Sequence, residues 1–599
     1  MKTRPSAFGA LVMALSIAVG ACAPSGAGAP SGSAAMVLQD RSRERGGSSG
    51  DGVHAPVNTG DATTDKTLII GLANEVKGFS TISGRQNKYV EDLIQGNLFL
   101  QADDGRWFPA LVERMPSVEN GDWKLYDDGT SETIYRLKKA VKWHDGVEFT
   151  AHDLVFSRKI IMDRELPVDG RSQQSRMSSV DALDDHTLRV MWHAWEAEAD
   201  TLDLRWFWPM PRHILEPVYE ADKQLFINHP FWSTEFIGLG PYKVVKFDHG
   251  SHMELTANDD YVLGTPRIKN IVIRFYQDSN LLIAALEAGA VHMTLHGSRA
   301  EGGLGMSDGI LLGTRWNASG EGKVIFHTYW VQLAALQMNP EFQRPLALGD
   351  VRVRRALLHA FDRQTLVDQM FGGFTEVAHG WLPTNDMDFR TIESAITRYD
   401  FDPPRAQRLL AEAGLQRAGD GSLVNARGER FELEYRAGGR DAEGIAAAAA
   451  DNWKALGVDT QLVFLSTARA RDSEWMAKFP GIRNHTMTAD TSGGAINRYS
   501  CTTAPGPEND WLFFSSNASG YCNAEMEQHW AAAGLAFPYS AKLGPVTEMM
   551  RIALRDLPYM PLYFEHEPVA VRSGVIGVDH IPPKIRGRIG MHSYRWDLR

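Results

Sequence analysis

The stretch from Tyr135 to Ser157 sets His144 beside Asp145 among aromatic residues, an arrangement that a general base and its orienting carboxylate would need. The Asp-Gly pair after His144 is also a turn signal between two segments of β-like composition. Thr150 stands three residues before Asp153, ahead of an apolar run, which is typical of a capping box at a helix start. A strand, a turn, a second strand and a helix account for these polar residues, and no nucleophile elbow, zinc-protease motif or phosphate loop lies nearby. The pattern therefore favours a structural role for His144 over catalysis.

The composition bounds the size and the class of the protein. With 599 residues the chain is too long for a single hydrophobic core, and its 43% hydrophobic and 23% charged residues are ordinary for a globular protein. The formal net charge of −12 argues against a nucleic-acid binder, which usually presents a basic face. We expect two or more large lobes and no nucleic-acid partner.

The first residues are typical of an export signal. Lys2 and Arg4 supply a positive start, and the apolar run AFGALVMALSIAV is short for a membrane span. The small residues before Cys22 resemble a bacterial lipobox, which predicts a signal peptide over residues 1–21 and a lipid on Cys22. The alternative is an ordinary signal peptide with a coincidental cysteine. No later segment is apolar enough to span a membrane, so we expect anchoring by lipid alone.

Residues 22–66 are rich in Gly, Ser, Ala and Pro and contain almost no large apolar side chains. Such a composition cannot bury enough surface to fold, which predicts a disordered tether. If Cys22 is acylated, Cys501 and Cys522 remain as an even pair in an oxidising compartment. This favours a disulfide between them around a loop rich in Pro, Gly and Asn, and two free buried thiols are the alternative.

Strand and helix patterns alternate from residue 67 to the end of the chain, which predicts a mixed α/β protein. The strand patterns are KTLIIGLA, TLRVMWHA, HMELTAN, IKNIVIRFY and KVIFHTYW. The helix patterns are NLLIAALEAGA, VRVRRALLHAFDRQTLVDQMF, PPRAQRLLAEAG and DAEGIAAAAADNWKALG. Gly414 and Gly457 close two of these helices, as glycines often do.

Several of these segments, in order, resemble the family 5 extracellular solute-binding proteins, the oligopeptide, dipeptide and nickel receptors of ABC importers. The segments that carry the resemblance are WHDGVEFTAHDLVFS, GLGPYKVVKF, ALEAGAVHM, DVRVRRALLHAFDRQTLVDQMFGGFTEVAHGWLPT, YDFDPPRAQRLLAEAGL, SNASGYCNAEME and LPYMPLYF. In GLGPY, Leu239 stands where the family pattern has Thr. The resemblance covers nearly the whole chain after the tether.

The resemblance implies a two-lobed α/β periplasmic-binding-protein fold of type II, in its enlarged peptide-receptor form, with mixed sheets and a hinge of two strands. Lobe I would comprise residues 67–328 with an inserted subdomain at about 105–235, lobe II residues 329–560, and residues 561–599 would return to lobe I. The hinge strands would lie near VIFHTYWVQLAALQMN and LPYMPLYFEHE. The lobes would close on a solute about these two strands, and the closed form would dock on a membrane permease.

The function implied is that of a monomeric lipoprotein in the cell envelope, in the periplasm or on the outer cell surface. It would capture peptides or peptide-like solutes for an ABC permease, without a catalytic step and without a cofactor. The positions that the resemblance places near the ligand are Glu75, Phe79, Trp381, Arg483, Asp490, Asn497, Tyr499 and Trp511.

Asp490 would pair with a peptide α-ammonium and Arg483 with a carboxylate. The segment around Asp490 lacks the Trp and the Asp-Pro of the peptide receptors, and the alternatives are a solvated loop aspartate and an arginine tied to a neighbouring acid. For the other candidate positions the alternative is structural packing.

Other functions remain open. The same fold could bind an opine, a glycoside, an antibiotic-like compound or a metal chelate, the receptor could signal chemotactically, and a secreted hydrolase would be a different class altogether. His249 and His252 form the nearest histidine pair, but a transition-metal site needs more convergent ligands, so we predict no metal site.

Overall fold

The computed structural model describes residues 66–599, except for short gaps at 80–81, 83–86, 103–105, 169–170, 172, 205, 298–301, 467–468, 470–471, 510, 512–516, 537–538 and 580–588. The predicted signal peptide, the lipidation site Cys22 and the tether up to residue 65 lie outside the described residues. Lys66, the first described residue, donates from Nζ to Asp597 Oδ1 at 2.8 Å. Among the described helices, none has the length and the apolar character that a membrane crossing requires.

The strands are, in chain order, β1 Thr67–Leu72, β2 Phe99–Gln101, β3 Trp107–Pro109, β4 Trp123–Leu125, β5 Ser131–Arg136, β6 Met177–Asp184, β7 Thr187–Trp192, β8 Tyr242–Asp248, β9 His252–Ala257, β10 Asn270–Phe275, β11 Met293–Thr294, β12 Gly322–Leu336, β13 Gln416–Arg417, β14 Leu423–Val424, β15 Glu432–Ala437, β16 Asp459–Phe464, β17 Ile482–Thr488, β18 Tyr559–Arg572, β19 Val575–Ile576 and β20 Asp597–Leu598.

The helices are α1 Lys88–Ile94, α2 Ala151–Met162, α3 Arg212–Ala221, α4 Lys223–Ile227, α5 Ser279–Glu287, α6 Met306–Ser319, α7 Val351–His359, α8 Arg363–Phe371, α9 Phe389–Ile392, α10 Pro403–Glu412, α11 Arg440–Lys454, α12 Ser473–Ala477, α13 Gly493–Ile496, α14 Ala524–Leu535 and α15 Tyr539–Asp556. The single helix predicted over VRVRRALLHAFDRQTLVDQMF is two helices. Asp362 breaks it, because its side chain accepts from the backbone N–H of Thr365 at 2.9 Å and so caps a new helix.

A ten-stranded mixed sheet runs through the described body in the order β16-β15-β17-β12-β18-β11-β1-β10-β9-β8. The continuous apolar pattern of β1 suits a central strand covered on both faces, and its neighbours β10 and β11 are parallel to it. A separate four-stranded sheet has the order β4-β5-β7-β6 and its own core, which includes Trp143, Trp192 and Trp206.

The long strands β12 and β18 join the two halves of the large sheet. They pair antiparallel from Gly322 opposite Arg572 to Ala335 opposite Tyr559. The ladder is irregular between Thr328 and Trp330 and again after Gln332. One core lies beside the start of β12, around β1, β8–β10 and α1, and we call this half lobe I. Two further cores lie beside the end of β12, around α7, α10, α11, α14 and α15, and this half is lobe II.

The unit that contains His144 is a structural clamp within lobe I. Its Nδ1 accepts from the backbone N–H of Gly238 at 3.1 Å, and its Nε2 lies 3.0 Å from the carbonyl oxygen of Gly240, so the neutral ring donates there. Burial lowers the pKa of His144 to about 4. Thr150 begins α2, and its N–H donates to Asp153 Oδ2 at 2.8 Å, as the capping-box pattern predicts.

The two glycines of GLGPY let this segment lie directly on the end of α1. A Cβ atom at Gly238 would come within 1.9 Å of the carbonyl oxygen of Ile94, and one at Gly240 within 2.4 Å of the Ile94 carbonyl carbon. No side chain fits there, so the segment needs glycine for close backbone approach. The clamp therefore fixes α1, whose first residues reach the hinge strands.

Candidate functional site

The sheet topology turns two sets of strand ends toward each other across the hinge. In lobe I, β1 and β10 run parallel, and β12 leaves this lobe in the same direction. In lobe II, β15, β16 and β17 run parallel to one another and opposite to β12. The carboxyl ends of the parallel strands of each lobe therefore face the other lobe, and such ends are where open α/β sheets bind ligands.

Two predicted site residues lie at these facing edges. Glu75 follows β1 and is exposed, and its Oε1 lies 2.8 Å from Nδ1 of His249, in the turn after β8. Asp490 follows β17 and is half-buried. Its Oδ1 accepts from the N–H of Ser492 at 3.0 Å and from the Ser492 hydroxyl at 2.8 Å. These contacts hold the Asp490 carboxylate in a fixed position at the edge of lobe II.

Phe79 has a different environment from that expected of a ligand contact. Its side chain has no exposed surface and packs against Phe236, with ring centroids 5.0 Å apart, and against Phe247 at 6.1 Å. In this conformation it belongs to the lobe I core.

Arg483 also lies away from the edge, because it is near the start of β17 while the facing edge is at the strand's end. It is buried, and burial lowers its pKa to about 9. His485 lies beside it, and Nη1 of Arg498 donates to Nε2 of His485 at 2.8 Å. Nη2 of Arg483 lies 3.3 Å from Nδ1 of the same ring, and because a neutral imidazole accepts at one nitrogen only, it can accept from only one of the two arginines.

The remaining predicted residues are spread over lobe II. Trp381 and Tyr499 are buried and pack on each other, with ring centroids 5.1 Å apart. Asn497 accepts at Oδ1 from Trp530 Nε1 at 2.9 Å. The ammonium of Lys478 lies over the ring of Trp511, 4.5 Å from its centroid. The structure does not gather the eight predicted residues into one cluster.

A disulfide joins Cys501 and Cys522, with Cα atoms 4.7 Å apart. It closes the loop that follows Asn497 and Tyr499 and so restrains the segment between β17 and α14.

Sequence reasoning missed a polar cluster on the hinge strands. Glu567, on β18, is only 3% exposed. It accepts from the hydroxyl of Tyr89 at 3.1 and 3.0 Å and from Trp330 Nε1 at 3.0 Å. Tyr89 belongs to lobe I and Trp330 to β12, so this carboxylate ties α1 to both hinge strands. The acidic residues in YFEHE were the available signal, since charges are uncommon in a buried strand.

Other hinge side chains extend this cluster. The side-chain amide of Gln332 donates to Glu565, whose pKa is raised because its carboxylate is desolvated. Nδ1 of His566 lies 2.9 Å from the hydroxyl of Thr328, and burial lowers the pKa of His566 to about 4. The rings of His296 and His327 approach to 5.3 Å between centroids. The hinge thus combines buried carboxylates, neutral imidazole and aromatic rings at the point where the lobes meet.

Away from the hinge, the described residues include one hollow and no cluster of metal ligands. A hollow of about 420 Å³ is lined by Gly250, Ser251, His252, Glu254, Val272, Arg274, Phe275 and Tyr276. It lies on β9 and β10, separated from the hinge strands by β1 and β11. Within the described residues, no group of three or more His, Cys, Asp or Glu side chains is arranged to hold a metal ion.

Comparisons with known proteins agree with this architecture. The family model of the bacterial extracellular solute-binding proteins, family 5 (middle), matches residues 115–505. The oligopeptide-binding protein AppA of Bacillus subtilis is 24% identical over 481 residues, which are 77% of this chain and 80% of that protein.

Solved structures show the same fold. The oligopeptide-binding protein of Thermus thermophilus, in complex with a pentapeptide, aligns with a TM-score of 0.73 at 22% identity and covers 90% of this chain and 97% of that one. NikZ of Campylobacter jejuni, in complex with Ni(L-His), aligns with a TM-score of 0.69 at 19% identity and covers 89% and 100%. The predicted two-lobed fold is confirmed, and the chain belongs to the bacterial extracellular solute-binding proteins of family 5.

Proposed function

We propose that this protein is the substrate-binding subunit of an ABC importer, which captures peptides or peptide-like solutes between its lobes and releases them unaltered to a permease. The observation that carries the proposal is the pair of strands β12 and β18, which joins two half-sheets whose carboxyl strand ends face each other. Such a hinge lets a ligand shift the lobes toward a closed form by its extra affinity for that form.

Peptides are favoured because the relatives named above are an oligopeptide-binding protein and a structure with a bound pentapeptide. The facing strand ends offer backbone groups to an extended peptide, and the carboxylates of Glu75 and Asp490 at the two edges suit its cationic groups. In this proposal lobe I comprises residues 67–328 and 561–599, with an inserted subdomain at about 105–235, and lobe II residues 329–560.

A metal chelate is the second candidate, and one observation favours it. NikZ shares the fold and holds Ni(L-His), while the segment around Asp490 lacks the Trp and the Asp-Pro of the peptide receptors. Because the described residues contain no three-ligand cluster, such a metal would arrive already chelated.

The proposal places the protein in the cell envelope, as a monomer anchored by a lipid on Cys22 through the tether of residues 22–66. Labelling of growing cells with a radioactive fatty acid should mark the wild type and not Cys22→Ala.

Small molecules released from the purified, denatured protein should be identified by mass spectrometry, and the identified solutes then tested by thermal unfolding. A ligand at 100 times its dissociation constant adds about 2.7 kcal/mol to the free energy of unfolding. Recovery of peptides supports the proposal, recovery of a chelate supports the second candidate, and cleavage of the solute during incubation would contradict both.

A further inference from the structure

Three aromatic rings surround one ammonium group beside the hinge. Nζ of Lys88 lies 4.8 Å from the ring centroid of Tyr89, 4.9 Å from that of Tyr329 and 5.6 Å from that of Trp330. All three distances fall within the range of about 6 Å over which a cation is attracted to an aromatic face. We call these three rings the aromatic box.

A buried carboxylate lies next to the aromatic box. The hydroxyl of Tyr89 and Nε1 of Trp330 both donate to Glu567, so two of the three rings are held by the same anion. When ionised, Glu567 adds its negative charge to the negative faces of the rings in a site of low effective dielectric. The box is therefore built for a positive charge, and a neutral or anionic group in it would gain no attraction from these charges.

The box combines residues of lobe I with residues of a hinge strand. Lys88 and Tyr89 come from α1 of lobe I, whereas Tyr329 and Trp330 are on β12 at the irregularity in the ladder. Tyr329, Trp330 and Lys88 are half-buried, so part of the box is exposed to solvent. The lysine stem has four flexible carbons, and its ammonium gains strong hydration when it leaves.

We propose, on the basis of the proposed function, that the aromatic box is a ligand subsite for an organic cation and that Lys88 occupies it only in the absence of that ligand. A primary ammonium from the solute, such as a lysine side chain or a terminal amine, replaces the Lys88 ammonium and keeps a positive charge beside Glu567. Uncharged solutes cannot make this exchange, so the box selects cationic solutes.

The first test removes the internal cation. In Lys88→Ala the box is vacant, and n-butylammonium carries the charge of the deleted ammonium on an alkyl chain one carbon longer than the deleted part. The tryptophans are labelled as 5-fluorotryptophan, and a Trp330→Phe variant assigns the ¹⁹F resonance of Trp330. In ¹⁹F NMR, n-butylammonium should shift this resonance in a saturable way, and n-butanol should not shift it. Absence of a saturable shift, or an equal shift by n-butanol, overturns the proposal.

The second test uses peptides. Isothermal titration should show that Lys88→Ala binds trilysine about tenfold more tightly than the wild type, since the competitor is gone, with no such gain for trialanine. Adding Tyr329→Leu should abolish the gain, and Trp330→Leu serves the same purpose if the first double variant does not fold by circular dichroism. The matched control is Lys159→Ala, which removes a lysine 5.0 Å from the Tyr219 ring on the surface of lobe I.

These experiments separate the two proposals. Should no peptide bind to any variant, the peptide function fails while the n-butylammonium titration still decides the box. Should peptides bind with equal affinity to the wild type and to Lys88→Ala, the function stands and Lys88 is a fixed structural contact, which overturns the subsite.

Discussion

An ion pair between the lobes provides a direct test of lobe closure. Lys542, in α15 of lobe II, lies with Nζ 3.8 Å from Oε1 of Glu198, which follows β7 in lobe I. Their side chains are 7% and 14% exposed. The contact requires that the lobes be together, so Lys542→Gln should shift the equilibrium toward the open form.

The size of the shift follows from the geometry. At the observed separation of 3.8 Å, two charges in an effective dielectric constant of about 20 attract by about 4 kcal/mol. Desolvation of both groups offsets part of this, and a net loss of about 2 kcal/mol is expected when one partner is removed. A change of that size corresponds to about a 30-fold lower ratio of closed to open molecules.

Small-angle X-ray scattering of the ligand-free protein measures the radius of gyration, which rises as the lobes open. Lys542→Gln should increase the radius of gyration and weaken ligand binding, whereas Lys542→Arg, which keeps the charge, should resemble the wild type. Lys454→Gln removes an exposed lysine at the end of α11 and is the control for the loss of charge alone. If Lys542→Gln scatters and binds like the wild type, the ion pair does not hold the lobes together and the reasoning is wrong.

Three further predictions concern stability. Replacing Cys501 and Cys522 by serine should lower the free energy of unfolding in urea by roughly 3 kcal/mol, because the disulfide closes a loop with a sequence separation of 21. Burial lowers the pKa of His144 in the folded protein to about 4 from an ordinary 6.5, so its contribution to the free energy of unfolding is complete above pH 6.5. About 3 kcal/mol of that free energy should be lost as the pH falls toward 4, and His144→Asn should flatten this dependence on pH. Burial raises the pKa of Glu196 from 4.5 to about 7 although Arg176 Nη2 lies 2.6 Å from its Oε2, and this gives the opposite sign. The free energy of unfolding should fall by up to about 3 kcal/mol as the pH rises from 4.5 to 7, and Glu196→Gln, which also removes the ion pair, should flatten this slope.

Local signals predicted most of the fold. The cap at Thr150 and the glycine ends at Gly414 and Gly457 are decided by residues within a few positions, and the structure has a helix start or a left-handed glycine at each. The break at Asp362 was missed because the apolar pattern continues across it. The break depends on a contact distant in sequence, since the backbone N–H of Asp362 donates to the side chain of Asn452 at 2.7 Å instead of to a helical carbonyl.

The site was harder to predict because its contacts join distant parts of the chain. Tyr89 and Glu567 are 478 residues apart, and nothing near either residue in the sequence indicates the other. Aromatic residues did not distinguish ligand contacts from core packing, because a ring in a core and a ring against a ligand have the same sequence pattern. Phe79 and Tyr499, for example, are both buried. Glu75 and Asp490 follow strands whose carboxyl ends face the other lobe, but each also makes a structural contact, so their role toward a ligand stays a prediction.

The irregular ladder between Thr328 and Trp330 has a mechanical consequence. A bulge disrupts the hydrogen-bonded ladder locally and bends the strand, and this one lies directly beside the rings of Tyr329 and Trp330. On the proposed function, closing the lobes would bend the two strands here and bring Lys542 and Glu198 together at the same time.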